Sequence, residues 1–285
     1  MAKAKNPSAD SGCCSAEKRC LPMKRGLVFL WATMLLLGSF AIVSAAPIWL
    51  DGVSESSGWL DTDKLWNDDF NLCWAATAAN LLSKQGWYGG PRLMTGDAIF
   101  ADIKHYWSDR GGNPYYAVDW WFTGENKQQE SPGWAQLTDL SHTGFYSDTL
   151  FSDNFAWGNF NDLSNIATYL ENDRAVSIMI EHHGLGHFLT VWGVDPDTRE
   201  LWVTDSDNFT HSLDKYTFRF DGTLDGAYDD WGINSYYGLF ANQKHAPRLR
   251  QQGTDIPEPA TLLLISTGVF GLTVFGKKAG AMNLG

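Results

Sequence analysis

Cys73 stands near the start of the segment NLCWAATAANLL, whose alanines and leucines favour a helix. Asn71 is the predicted N-cap of that helix, which places Cys73 in its first turn. In this position, free backbone N–H groups and the positive end of the helix dipole stabilise a thiolate, the nucleophilic form of cysteine. The alternative is a small buried cysteine without chemistry, because free cysteine is among the most frequently buried residue types.

A histidine and an aspartate stand at the ends of two predicted strands further along the chain. His187 begins the first of these strands, Asp205 ends the second, and the turn sequence DPDT lies between them. A hairpin centred on Pro196 sets His187 directly opposite Asp205, with Cβ atoms about 5 Å apart, and sets Asp207 opposite Leu185. The Asp205 carboxylate can then accept the imidazole N–H and stabilise the imidazolium. A shift of one residue in register would break this arrangement.

A cysteine on a helix N-terminus, followed by a histidine and an aspartate on a hairpin, is the arrangement of papain-like cysteine peptidases. An isolated histidine is usually structural, but a facing aspartate and a single exported cysteine favour a catalytic role for His187. In this chemistry the Cys73 thiolate attacks a peptide carbonyl, and His187 protonates the leaving amine. Water then hydrolyses the thioester.

The elements that must position these residues are mainly helices in the first part of the chain and strands in the second. Helical spacing of apolar residues predicts helices over 73–85, 95–107 and 161–172, the last with Asn161 as N-cap. The predicted strands are 175–181, 187–194, 200–205, 216–221 and 235–241. Residues 108–160 have weak periodicity and are predicted to form long loops and short elements. Helices followed by an antiparallel sheet indicate an α+β domain over residues 46–242.

The N-terminal residues have the composition of an export signal. The apolar run 26–43 follows two basic residues and leads into the small residues VSA, so we expect a signal peptide over 1–45 that signal peptidase cleaves after Ala45. A retained membrane anchor is the alternative. The patternless residues 1–22 suggest that Met23 is the initiator and that the gene start was assigned too early.

Charge and cysteine content narrow the class of protein. The formal net charge of −12 argues against a general nucleic-acid-binding protein. Three of the four cysteines leave with the predicted signal peptide, namely Cys13, Cys14 and Cys20. Cys73 is then the only thiol of the mature chain, and an unpaired exported thiol indicates reactivity.

At the C-terminus, Pro257-Glu258-Pro259 precedes an apolar run over 260–276 and two lysines. The run is near the lower length limit for a membrane span, and the lysines orient its end to the cytoplasm; a buried core helix is the alternative. Residues 257–285 resemble the PEP-CTERM sorting signal of Gram-negative bacteria. The resemblance implies transient anchoring in the inner membrane, processing by an exosortase-type transpeptidase, and delivery to the cell surface, outer envelope or extracellular matrix. The polar stretch 243–256 is the predicted linker.

Two longer blocks, 58–82 and 186–208, carry a further resemblance. They are similar to the immunoglobulin-degrading streptococcal cysteine endopeptidases, the Mac-type papain-like peptidases. The shared residues of the first block are Gly58, Trp59, Asp61, Lys64, Trp66, Asp68, Asp69 and the pattern CxAATAxN from Cys73 to Asn80. Those of the second block are His187, Trp192, Gly193 and the segment VTDSD from Val203 to Asp207. The resemblance implies a papain-like fold, in which the catalytic helix packs against the antiparallel sheet. Residues 90–160 show no convincing match, and the Lys64-to-Cys73 interval is one residue shorter than in that family.

The resemblance also implies a role for each site residue. Cys73 would be the nucleophile, His187 the general base and acid, Asp205 the orienting carboxylate, Asp207 a supporting acid, and Lys64 a contributor to the oxyanion hole. The alternative for Lys64 is a solvated surface charge paired with Asp61, Asp68 or Asp69.

No cofactor or metal is expected. His182, His183 and His187 form the pattern HHxxxH, but Gly184 and Gly186 disfavour the helix that a metal site of this spacing needs. The aspartates of the DPDT turn and of the VTDSD segment lack the spacing of an EF-hand loop and are expected to be solvated.

These features predict an exported, surface-sorted cysteine endopeptidase that acts on a protein or peptide substrate. Two alternatives stay open: a transglutaminase-like acyl transferase with the same triad, and a non-catalytic surface- or matrix-binding module that keeps the fold. The resemblance does not extend to immunoglobulin as the substrate, since that activity belongs to host-adapted members of the family, and the native substrate stays open. Four tryptophans of the middle region are expected in the core or at substrate subsites: Trp120, Trp121, Trp134 and Trp157.

Overall fold

The computed structural model describes residues 46–125, 134–208 and 210–244. These residues combine helices with an antiparallel sheet, so the predicted α+β class is confirmed. The chain divides into two units, Met1–Ala46 and Pro47–Gly285, and all described helices and strands belong to the second. The predicted signal peptide, the sorting signal and its apolar run 260–276 lie outside the described residues. None of the described helices is long and apolar enough to cross a membrane.

Five helices and seven strands make up the described part of the chain. The helices are α1 (Cys73–Lys84), α2 (Gly96–Tyr106), α3 (Pro114–Thr123), α4 (Phe151–Asn154) and α5 (Leu163–Glu171). The strands are β1 (Ile48–Trp49), β2 (Phe155–Asn159), β3 (Arg174–His182), β4 (Leu185–Asp195), β5 (Glu200–Thr204), β6 (Asp214–Thr217) and β7 (Gly232–Phe240). They form one antiparallel sheet in the order β2-β7-β3-β4-β5-β6, and β1 pairs with β4.

Helix α1 runs through the centre of the core. Eleven of its twelve residues are buried, which is the pattern of a helix enclosed on every side. Two of its polar side chains bond to strand β4: Thr77 Oγ1 donates to the Phe188 carbonyl at 3.4 Å, and Asn80 Nδ2 donates to Thr190 Oγ1 at 3.1 Å. These bonds hold the helix against the strand that carries His187.

The start of α1 differs from its prediction. Leu72, not Asn71, occupies the N-cap position, and it makes no capping side-chain hydrogen bond. The Asn71 backbone N–H donates instead to Asp109 Oδ1 at 2.7 Å, which ties the helix start to the loop after α2. Cys73 is therefore the first helical residue, one position closer to the N-terminal end than predicted.

Helix α5 is also capped by a residue other than the predicted one. Asp162 is the N-cap: its Oδ1 accepts the Ser164 backbone N–H at 2.7 Å, and Asn165 completes a capping box. The prediction of Asn161 as the cap is wrong because Asp162, one residue later, has the extended backbone and the paired capping bonds.

Helix α3 lies in the region predicted to form long loops and short elements, together with α4 and β2. It has clear end signals, since Asn113 Oδ1 accepts the Tyr115 N–H at 2.8 Å, Pro114 is the first helical residue, and Gly124 ends the helix in a left-handed conformation. Residues 117–122 are all buried. The short elements predicted for this region are thus present, but the position of α3 was not identified, because a helix buried on every side has no one-sided apolar period.

The turn between β4 and β5 lies further along the chain than predicted. Asp195 pairs with Glu200, and Asp195 Oδ1 accepts the backbone N–H groups of Asp197 and Thr198 at 2.9 and 3.1 Å. The chain thus reverses around Asp197 and Thr198 rather than around Pro196. The predicted hairpin centre is wrong because the Asp195 carboxylate organises a longer turn.

A β-bulge then changes the register of the same hairpin. It lies between Val191 and Gly193 on β4 and shifts the pairing by one residue, so that the last pair is Thr190 with Thr204. His187 and Asp205 lie beyond this pair and are not directly opposite one another. The predicted direct opposition of the two residues is therefore wrong.

Candidate active site

Cys73, His187 and Asp207 line one cavity of about 380 Å³ at the start of α1. Lys64 lines it from the segment before α1, and Tyr228 lines it from the loop between β6 and β7. Asp205 contacts His187 and is itself buried. The fold therefore brings together all five residues that the sequence predicts for the site: Cys73, His187, Asp205, Asp207 and Lys64.

A buried hydrogen bond joins His187 to Asp205. His187 Nε2 lies 2.8 Å from Asp205 Oδ1, and the side chains are only 7% and 6% exposed. Because the acceptor is a carboxylate, Nε2 carries the proton and donates. Nδ1 is thereby left as the ring nitrogen that can interact with Cys73.

Asp205 reaches His187 diagonally across the hairpin. If the final register is continued, Leu189 stands opposite Asp205, and His187 lies two residues away on the same face of β4. Asp205 begins a turn in which the Asp207 backbone N–H donates to Asp205 Oδ1 at 2.9 Å. The predicted contact is present, although its geometry is diagonal.

The neighbours of His187 favour its charged form. Burial lowers the pKa of His187, but hydrogen bonds and charge interactions with Asp205 and Cys73 outweigh burial and raise the pKa to about 10. Burial raises the pKa of Asp205, whereas the hydrogen bond and charge of His187 bring it below its ordinary value. An imidazolium between a carboxylate and a cysteine is the charge state that stabilises a thiolate.

Lys64 is buried in the wall of the cavity, with 1% of its side chain exposed. Its Nζ donates to the Phe70 carbonyl at 2.7 Å and pairs with Asp207 Oδ1 at 2.5 Å. The alternative of a solvated surface charge is therefore wrong. Two of the aspartates considered for that alternative, Asp68 and Asp69, bind Lys104 instead.

Asp207 lies between the lysine and the histidine. Its Oδ1 binds Lys64, while its Oδ2 lies 3.8 Å from His187 Nδ1. The side chain is 25% exposed and faces the cavity. The prediction that Asp207 lies opposite Leu185 is wrong, because the turn after β5 carries Asp207 towards Lys64.

Tyr228 belongs to the site and is not identified by the sequence analysis. Its hydroxyl donates to Asp205 Oδ2 at 2.6 Å, and its ring stacks on the His187 ring with centroids 5.2 Å apart. Burial and the charge of Asp205 raise the pKa of Tyr228 well above its ordinary value, so the hydroxyl stays a donor. Tyr228 lies in a loop without periodicity, so the local sequence carries no signal that links it to Asp205.

The HHxxxH pattern divides in the fold. His182 ends β3, and its Nδ1 lies 3.1 Å from the Asp230 carbonyl. His183 stands in the β3–β4 turn, and its ring lies against that of His182, with centroids 4.1 Å apart. His187 pairs with Ile180 further along the two strands and binds Asp205. The first two imidazoles are therefore neighbours, whereas the third belongs to the candidate active site.

The tryptophans of the middle region divide between core and surface. Trp120 and Trp121 are fully buried in the core. Trp134 and Trp157 are 41% and 60% exposed, and Trp157 lines a separate cavity of about 270 Å³ with Tyr115 and other residues. Neither surface tryptophan is among the residues that line the cavity at Cys73.

Comparison with known proteins supports the assignment of the C-terminus. Residues 255–278 match the model of the PEP-CTERM protein-sorting motif. This motif indicates a protein that is exported, processed by an exosortase and sorted at the membrane of a Gram-negative bacterium. No curated protein matches the chain significantly.

Proposed function

We propose that this exported protein is a papain-like cysteine endopeptidase with Cys73, His187 and Asp205 as its triad. The observation that carries the proposal is the buried 2.8 Å contact between His187 Nε2 and Asp205, beside a cysteine that begins a helix in the same cavity wall. The two sequence blocks similar to the Mac-type peptidases contain all three residues and add to the proposal.

The reaction begins from a Cys73 thiolate beside the His187 imidazolium, whose two ring nitrogens both carry protons, the charge state that the raised pKa of His187 favours. The thiolate attacks the carbonyl carbon of a peptide, and the C=O electrons move onto oxygen. His187 then donates its Nδ1 proton to the amine nitrogen as the C–N bond breaks. In the second half, His187 takes a proton from water, the resulting hydroxide attacks the thioester, and the thiolate leaves.

The start of α1 and Lys64 supply stabilisation for the oxyanion. The N–H groups of Ala75 and Ala76 donate to the Leu72 carbonyl, whereas Cys73, as the first helical residue, has no preceding helical turn to accept its backbone N–H. An ammonium has three N–H donors, and Phe70 and Asp207 account for two of those on Lys64. The third is available to an oxyanion in the cavity.

Asp205 and Tyr228 keep the imidazole ready for both proton transfers. Asp205 binds Nε2 and thereby directs Nδ1 towards Cys73. Tyr228 holds the second oxygen of the same carboxylate and covers one face of the imidazole ring. These contacts restrict rotation of His187 between the two halves of the reaction.

The proposal is tested with the full chain and its Cys73→Ala variant on a mixed peptide library, with cleavage followed by mass spectrometry. We expect cleavage by the wild type and none by the variant. A thiol-directed epoxide inhibitor should label Cys73, and peptide mapping separates this label from labels on Cys13, Cys14 and Cys20.

Each contrary result has a clear meaning. If the folded wild type neither cleaves peptides nor reacts at Cys73, the catalytic proposal is wrong. If an added amine is joined to the acyl group in preference to water, the protein is an acyl transferase with the same triad.

A further inference from the structure

Asp61, Asp63 and His211 form a second cluster of ionisable side chains, away from the cavity at Cys73. Each residue offers one potential ligand atom, and these three atoms lie within 4.8 Å of one another. The two aspartates belong to the segment before Lys64, and His211 belongs to the loop before β6. The cluster thus joins two segments that are distant in sequence.

Asp61 is a buried carboxylate with an oxygen that lacks a protein partner. Its side chain is 1% exposed. Oδ2 accepts the Ser212 backbone N–H at 3.3 Å and lies 3.7 Å from His211 Nδ1. Oδ1 is buried and has no hydrogen-bond partner among the described residues. Burial, together with the neighbouring Asp63, raises the pKa of Asp61 to about 8. A carboxyl group removed from water in this way is stable with a bound proton, a cation or hydrogen-bond donors beside it.

Asp63 is a second carboxyl group of the cluster, and burial raises its pKa as well. Its Oδ1 is also buried and, within the described ranges, has no hydrogen-bond partner. Lys104, a cation near this segment, binds Asp68 and Asp69 at 2.8 and 2.7 Å. The exposed imidazole of His211 is the basic group that lies closest to the Asp61 carboxylate in the described contacts.

The cluster contrasts with the other group of three potential ligands, His187, Asp205 and Asp207. In that group, Lys64 binds Asp207 and His187 binds Asp205, so each carboxylate has a cationic partner. At Asp61 and Asp63 the nearest basic group is a histidine beyond hydrogen-bond distance. The second cluster therefore offers three potential ligand atoms without a cationic partner in hydrogen-bond contact, and a metal ion would displace the protons that the raised pKa values favour.

We propose that Asp61, Asp63 and His211 bind a divalent transition-metal cation of the Zn²⁺ or Mn²⁺ type. Two carboxylate oxygens and one imidazole nitrogen are ligands that suit these ions, and water completes the coordination. Ca²⁺ is disfavoured, since it takes oxygen ligands almost exclusively. A cavity of about 370 Å³ is lined by Asp63 and His211 and gives water and ions access to the cluster.

The bound cation would brace the proposed active site from outside. The Lys64 backbone N–H already donates to the Ser206 carbonyl at 3.0 Å, so the two segments lie side by side. A metal held by Asp61, Asp63 and His211 adds a second link between them. One of these segments carries Lys64, and the other leads on from Asp205 and Asp207. The ion has a structural role here and takes no part in peptide cleavage.

The test uses the full chain with Mn²⁺ as the probe, because thiols select Zn²⁺ and the chain contains four cysteines. Mn²⁺ binding is followed by electron paramagnetic resonance and by calorimetry. His211→Ala is the test variant, since its exposed side chain is not needed for the core. We expect its affinity for Mn²⁺ to fall by at least about tenfold, because even loss of a group that only supports a ligand has this effect.

His105→Ala is the matched control. His105 is 70% exposed and lies 3.8 Å from Asp139, so it reproduces the exposure and the histidine–aspartate pairing of His211. We expect this variant to bind Mn²⁺ like the wild type. Zn²⁺ should raise the melting temperature of the wild type and of His105→Ala more than that of His211→Ala.

Three results would overturn the metal site. They are no Mn²⁺ or Zn²⁺ binding by the wild type, equal loss in the two histidine variants, and Ca²⁺ binding that His211→Ala leaves unchanged. Mn²⁺ binding is also measured in Cys73→Ala, where it should persist. Failure of the peptidase proposal and failure of the metal proposal are therefore separate outcomes.

Discussion

The Tyr228 hydroxyl donates a hydrogen bond of 2.6 Å to Oδ2 of Asp205, the carboxylate whose other oxygen binds His187. The carboxylate is thus held from two sides, and a third donor, the Asp207 backbone N–H, reaches Oδ1. Three donors fix the orientation of Asp205 more firmly than the histidine alone would. This tyrosine–aspartate contact gives the first prediction.

Tyr228→Phe keeps the ring that stacks on His187 and removes only the hydroxyl. We expect kcat to fall by roughly five- to tenfold, which corresponds to one hydrogen bond of about 1 kcal/mol, with little change in KM. The measurement is steady-state cleavage of a peptide substrate. Tyr146→Phe is the control, because it loses a hydrogen bond of the same 2.6 Å length to the Tyr88 carbonyl. Equal rates in both variants would contradict a positioning role for Tyr228.

The two aspartates near His187 should have unequal effects on catalysis. Asp205→Asn should lower kcat by roughly a hundredfold or more, because the amide alters the tautomer of the buried imidazole. Asp207→Asn should be milder, since Asp207 lies 3.8 Å from His187 and is partly exposed. Cys73→Ala should abolish turnover, and His187→Ala should lose nearly as much. If Asp207→Asn is the more damaging aspartate variant while both variants are folded, the triad carboxylate is Asp207.

Variants of the Lys64–Asp207 ion pair should distinguish an effect on protein stability from an effect on catalytic activity. Lys64→Met leaves the Asp207 carboxylate without its cation, so we expect destabilisation of up to about 3 kcal/mol and a loss of kcat. The double variant Lys64→Met/Asp207→Asn should recover most of the melting temperature, because the unpaired charge is gone. It should not recover kcat if Lys64 stabilises the oxyanion. Recovery of both properties would limit Lys64 to a structural role.

The charge of His187 predicts a stability that falls at alkaline pH. Its pKa rises from 6.5 to about 10 on folding, so its contribution is complete below pH 6.5 and is lost as the pH rises to about 10. Asp205 has a lowered pKa, so its contribution is present above pH 3.8 and is lost at lower pH. Melting temperatures of the wild type and His187→Gln should therefore converge between pH 6.5 and 10. Parallel curves would contradict the charged pair, and exposed His105→Gln serves as the control.

Removal of residues 257–285 should release the protein in soluble and active form. The described core is built from residues between Ile48 and Asn242, and it does not include the apolar run 260–276. Cell fractionation and peptide cleavage by the truncated chain provide the measurement. Insoluble, unfolded product would indicate that the run is a core helix.

The order and types of three residues were enough to predict the candidate site. Cys73 at a helix start, His187 on a strand and Asp205 after the next strand are features that a local pattern contains. The predicted register differs from the observed one by two residues at this end of the hairpin. Because side chains alternate along a strand, a register error of two residues keeps His187 and Asp205 on the same face of the sheet. This explains why an incorrect register still predicted the correct contact.

Other parts of the site and fold could not be predicted, because they depend on tertiary contacts. Tyr228 meets Asp205 only after β6 and β7 bring a loop over the hairpin. The burial of Lys64 depends on partners from two separate segments, Phe70 and Asp207. The sequence of helix α3 has no helical apolar period, because surrounding aromatic residues bury the helix on all sides. In each case the deciding interaction is absent from the local sequence.

The bulge between Val191 and Gly193 determines which side chains of β4 and β5 lie on the same face of the sheet. In the register on the turn side of the bulge, Asp205 would stand opposite Thr190, on the face of the sheet away from His187. The single extra residue, Trp192, shifts the pairing by one residue, so that Asp205 stands opposite Leu189 instead of Thr190. Leu189 and His187 are two residues apart, so the carboxylate lies on the same face as the histidine. If the same sequence formed this hairpin without the bulge, the connecting turn would need one residue fewer to keep the side chains of His187 and Asp205 on the same face.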